Sequence, residues 1–122
     1  MLNLYNGTPK KDEVEMRKVY SSKLAELMEK HSEIIALEAD LMNAITTNKV
    51  QDKYPERVIN CGIMEANMVG VAAGMSIAGK YPFAHTFTAF ASRRCFDQLF
   101  MSGAYQKNNI KIIASDAGVT AV

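Results

Sequence analysis

One carboxylate stands apart in this chain. Between Cys61 and Ala78 the sequence reads CGIMEANMVGVAAGMSIA, and Glu65 is the only acid or base in it apart from the Cys61 thiol. Gly70, Ala72, Ala73, Gly74 and Ala78 keep the segment thin. Its apolar residues run nearly all round a helix, the pattern of a helix buried on most faces. A carboxyl at the head of such a helix loses hydration, which disfavours its charged form, while the dipole of the helix N-terminus opposes the effect. An acid that holds its proton late serves as a proton donor or as a partner sharing a proton in a hydrogen bond. The plainer reading is a first-turn glutamate that complements the dipole and the free N–H groups. Pattern alone leaves both open.

The other reactive side chains form no recognisable set. Cys61 and Cys95 sit in separate segments without metal-ligand spacing, and read as reduced thiols of a cytoplasmic protein. A nucleophilic Cys61 is the sharper alternative. His31 and His85 belong to no evident triad. The chain has neither GxGxxG nor GxxxxGK[ST], so neither phosphate-cradling loop is available to a nucleotide-binding reading. With 14 basic and 13 acidic residues the net charge is +1, which gives no electrostatic case for nucleic acid or an anionic membrane. The most apolar stretch, Ile63–Ala78, is interrupted by Glu65 and is too short to span a bilayer.

The elements that position Glu65 follow from periodicity. Val14, Val19, Leu24 and Leu27 predict a helix from Asp12, as N-cap, to about His31, with Lys30 suiting its C-terminal dipole. Residues 1–11 form a polar lead-in punctuated at Gly7–Pro9. Ile34–Leu37 reads as a buried strand and 41–49 as a short helix or loop. RVINC (57–61) reads as a second strand and Gly62 as a turn. A helix is expected over 64–80, a strand over 81–87, one continuous helix over 89–105 and a strand over 110–115. The 122 residues suit a single domain, and strands alternating with helices predict an α/β three-layer sandwich, with a mostly parallel sheet and helices on both faces. Ligands of such sheets bind beyond the carboxyl ends of the strands. That rule gathers Asp40, Glu65, Phe87 with Phe90, and Asp116 on one rim.

Three pieces in order carry a family resemblance: Gly62-Ile63-x-Glu65 opening a small-residue helix, Thr86-Phe87-x-x-Phe90, and Arg94 followed by Asp97-Gln98. NNIKIIASDAGVT (108–120) adds a strand and a Gly-Val-Thr turn. Together they resemble the pyrimidine-binding module of transketolases, above all the C-terminal subunit of bacterial split transketolases. The resemblance implies that Glu65 is the catalytic glutamate that hydrogen-bonds the pyrimidine ring nitrogen of thiamine diphosphate. It implies that Phe87 and Phe90 line the ring's pocket, Phe90 more directly, although either could be plain core. Asp40 matches an acidic residue near the cofactor and the subunit interface; capping the next helix is its plainer role. Arg93 and Arg94 suit a substrate phosphate or an interface carboxylate, or else solvent. His85 stands where the family commonly has a small polar residue.

The resemblance further implies ketol transfer between sugar phosphates in a cytoplasmic homo- or hetero-oligomer. The chain lacks the Gly-Asp-Gly motif with its downstream Asn, so Mg2+ and the diphosphate are expected on the diphosphate-binding partner subunit, with no metal ligand here. The family continues past Gly-Val-Thr with an acidic, glycine-rich loop, so residues 1–122 are expected to be one pyrimidine-binding domain incomplete at its C-terminus. Alternatives are a non-catalytic assembly module, or the same module in a pyruvate dehydrogenase beta subunit or a deoxyxylulose phosphate synthase.

Overall fold

The computed structural model describes Gly7 and residues 12–118. The lead-in, apart from Gly7, and the Val119-Thr120 part of the Gly-Val-Thr turn lie outside the described residues. The elements run α1 (Met16–Lys30), β1 (Ile34–Glu38), α2 (Met42–Ile45), α3 (Asn48–Lys53), β2 (Val58–Asn60), α4 (Glu65–Ile77), β3 (Tyr81–Phe87), α5 (Thr88–Arg93), α6 (Phe96–Gln98), a π-helical turn (Leu99–Tyr105) and β4 (Lys111–Ser115).

The four described strands pair in the order β2-β1-β3-β4, and every pair is parallel. Burial explains why β1 is central: all five of its residues are buried, as a parallel strand covered on both faces requires. Ile34 and Ala36 pack with Leu24 and Met28 of α1 and Val50 of α3. Ile35, Leu37 and Ala39 turn the other way, onto Met68 and Ala72 of α4. Helices therefore cover both faces, the layered α/β architecture expected. The chain moves from β1 outward to β2, then crosses back through α4 to β3 on the other side of β1. That reversal places a topological switch point between the carboxyl ends of β1 and β3, where open parallel sheets bind ligands.

Two expectations need correction. The first helix starts at Met16 with Glu15 as N-cap, not at Asp12. Val14 and Val19 are exposed, and the buried stripe is built from Leu24 and Met28, with Tyr20 and Leu27 against it. The i, i+4, i+7, i+8 positions from Tyr20 outline that face better than the valines do. The helix expected as one piece over 89–105 breaks after Arg93. Cys95 leaves helical geometry (φ −134°, ψ 20°). The break buries its thiol against the Ala91 carbonyl, 3.4 Å away, and brings the neighbouring Arg94 to Glu65. A π-helical turn then replaces the last α-helical turns.

Candidate functional site

Glu65 is the first residue of α4 and is only 3% exposed. Gly62 makes the turn that delivers it, at φ +73°, a left-handed conformation that favours glycine. Two groups hold the carboxylate. Thr86 Oγ1, from the end of β3, donates to Glu65 Oε1 over 3.1 Å. Arg94 Nη1, from the break after α5, donates to the same oxygen over 3.0 Å. Oε2 has no hydrogen-bond partner among the described residues.

The aromatic pair lies beside this carboxylate. The rings of Phe87 and Phe90 are half-buried, with centroids 6.0 Å apart and planes tilted by 38°. The Arg94 guanidinium carbon sits 3.5 Å from the centre of the Phe90 ring, a cation–π contact. One side chain thus touches both Glu65 and Phe90. Arg93 is exposed.

Asp40 is held elsewhere on the rim. It is exposed, at φ +62°, and its hydrogen bonds run to Asn60 at the end of β2. The Asp40 N–H donates to Asn60 Oδ1 (3.1 Å), and Asn60 Nδ2 donates to Asp40 Oδ1 (2.8 Å). Asn60 Oδ1 also accepts from the Gly62 N–H (2.9 Å), so Asn60 links Asp40 to the turn before Glu65. Asp116, just past β4, is exposed at φ +54°.

A second polar cluster escaped the sequence reading. On the α1 side of the sheet, His85 Nδ1 meets Glu38 Oε2 at 2.6 Å, with both side chains fully buried. His85 Nε2 meets Ser115 Oγ at 3.0 Å, and Thr47 Oγ1 donates to Glu38 Oε1 at 2.7 Å. Glu38 and His85 are register partners across β1 and β3. The usable signal was an acid inside a buried strand run, which needs a partner. Burial pushes the Cys61 thiol up, with Glu38 adding to the effect, and burial then Glu65 push the Cys95 thiol up. That argues against a nucleophilic Cys61.

Among the described residues no group of three or more His, Cys, Asp or Glu converges to hold a metal ion. None of their helices is long and apolar enough to cross a membrane.

The layered parallel sheet thus carries a buried helix-head glutamate at its switch-point rim. Residues 12–121 match the family model "Transketolase, pyrimidine binding domain", and the chain belongs to that family. It is 48% identical over 106 residues to a 6-deoxy-6-sulfo-D-fructose transketolase subunit, SqwH, of Clostridium sp. (strain MSTE9). It is 42% identical over 105 residues to a putative transketolase C-terminal section of Methanocaldococcus jannaschii. These alignments cover 87% and 86% of this chain but 33% of each relative. A solved split gene transketolase, described as an inactive beta4 tetramer, superposes with a TM-score of 0.74 at 44% identity, over 80% of this chain and 33% of that one. The chain therefore spans about a third of the length of these relatives.

Proposed function

We propose that this chain forms the pyrimidine-binding half of a thiamine diphosphate site in a split transketolase. The observation that carries the reading is Glu65: nearly buried, held through Oε1 by Thr86 and by an Arg94 that also lies over Phe90, and with no hydrogen-bond partner for Oε2 among the described residues. These residues fit a flat, nitrogen-bearing ring. An edge nitrogen would meet Glu65 Oε2, and a ring face would stack on an aromatic side chain, worth about 0.5–1.5 kcal/mol beyond area burial. When bound, the cofactor supplies the carbanion chemistry of ketol transfer. The chain's own contribution is to hold a proton between Glu65 and the ring, to orient the ring with Phe87 and Phe90, and to exclude water around both. Asp40, linked through Asn60 to the Gly62 turn, is assigned to the cofactor side of the rim near the subunit interface.

The reaction we infer moves a two-carbon ketol unit between sugar phosphates. It requires a partner subunit that binds the diphosphate and Mg2+, and residues 1–122 act as one domain within that assembly. The sulfo-sugar named for the Clostridium relative makes a sulfonated ketose a second donor of the same anionic class. Free thiols at Cys61 and Cys95 support a cytoplasmic setting. Ile63, Met64, Ile77, Phe96, Phe100, Met101 and Tyr105 are exposed, the apolar surface that an oligomer covers.

That same surface favours a second reading, an assembly module that never completes a cofactor site. Two measurements separate the readings: light scattering with and without cofactor, and turnover of phosphorylated and sulfonated ketoses by the chain in its full subunit with its partner. Cofactor-dependent turnover that Glu65→Gln abolishes supports the enzyme. A stable oligomer indifferent to cofactor and partner supports the module.

A further inference from the structure

The contacts of Arg94 go beyond charge neutralisation. Its Nη1 donates to Glu65 Oε1, the oxygen already held by Thr86 Oγ1. Its guanidinium carbon lies 3.5 Å from the Phe90 ring centre. Arg94 N–H also donates to the Phe90 carbonyl at 2.8 Å, fixing the backbone between the two side chains. One residue therefore sets the relative positions of the acid and of the aromatic ring that the proposed function uses.

We propose that Arg94 is a positioning residue of the pyrimidine half-site. It stays in place when the ring binds, and it determines which oxygen of Glu65 shares the proton. This rests on the pyrimidine reading given above. Two donors on Oε1 keep that oxygen an acceptor, because a carboxylate oxygen taking hydrogen bonds from a guanidinium and a hydroxyl is disfavoured as the protonated one. The proton shared with a ring nitrogen is thereby confined to Oε2, the oxygen with no hydrogen-bond partner among the described residues. The guanidinium fork is planar and always charged, so it meets a carboxylate edge and an aromatic face at once, as a lysine ammonium does not. Arg94 keeps 44% of its side chain exposed, yet its two anchors leave it little freedom before a ligand arrives. The half-site is in this sense ordered ahead of binding, which lowers the cost of binding.

The test uses the chain in its full subunit, assembled with the diphosphate-binding partner, and thiamine diphosphate as the probe. Calorimetry compares wild type, Arg94→Ala and Arg94→Lys, with Glu65→Gln and Phe90→Ala alongside. The 15N-1H signal of Arg94 Nε is followed in the wild type. The expected result is a Kd raised about tenfold or more in Arg94→Ala and partly restored in Arg94→Lys, with the Arg94 signal keeping its ring-current shift after the cofactor binds. A Kd within about twofold of wild type in Arg94→Ala overturns the proposal. So does loss of the ring-current shift on binding, which reports displacement of Arg94 and needs no variant to fold. Wild-type affinity in both Glu65→Gln and Phe90→Ala defeats the pyrimidine reading itself, a different failure from that of Arg94 alone.

Discussion

Glu38 Oε2 and His85 Nδ1 lie 2.6 Å apart with neither side chain reaching solvent. The pair ties the carboxyl ends of β1 and β3 together directly behind Thr86 and Phe87. Removing one partner of a buried ion pair or charge-assisted hydrogen bond leaves the other uncompensated, at a cost of about 3–5 kcal/mol. His85→Ala is accordingly expected to lose a stability of that order in urea denaturation, with Glu38 left on Thr47 alone. A loss under 1 kcal/mol would show that the pair does not brace the rim.

Alkaline pH is expected to destabilise the fold. Burial pushes the Tyr20 phenol upward, and the nearby Glu38 adds to the shift; the Cys61 and Cys95 thiols are raised too. Below the unfolded values, about 8.5 for a thiol and about 10 for a phenol, these groups are neutral in both states and their contribution is fully present. Above them the unfolded chain ionises first, so stability falls as pH rises. Because Tyr20 Oη is buried without a partner among the described residues, Tyr20→Phe is expected to be neutral or stabilising at pH 7. It is also expected to flatten the alkaline loss in melts recorded from pH 7 to 11.

Gly62→Ala isolates a backbone effect. A Cβ there meets no heavy atom within 4 Å, yet φ is +73°. The expected cost is the left-handed penalty alone, about 1–2 kcal/mol. Because the Gly62 N–H is bonded to Asn60, the strain falls on the turn that aims Glu65. Cofactor affinity is therefore expected to drop along with the melting temperature, and an unchanged affinity would detach this turn from the site.

Much of this architecture is legible in the sequence. The unbroken apolar run of β1, the small-residue α4 and the strand 81–87 each carry a local signal that tertiary packing only reinforced. Glu65 was legible for the same reason, as an acid in an apolar setting. What was not legible depends on contacts between distant segments. Val14 and Val19 were expected on one helix face, but Val14 precedes α1 and Val19 lies off its buried stripe. The break after Arg93 has no proline or glycine to announce it; it arises where Arg94 reaches Glu65, 29 residues away in sequence. His85 and Glu38, 47 residues apart, become partners only through strand register.

The bond between Glu65 and a cofactor ring is checked by calorimetric titration of thiamine diphosphate into the assembled enzyme. Glu65→Gln keeps the shape of the side chain and removes the acid. The expected result is a Kd weakened by at least tenfold in a variant whose unliganded form still folds cooperatively, its melting temperature lowered by the weakened bond to Arg94. Equal affinity of wild type and variant, both well folded, would contradict it.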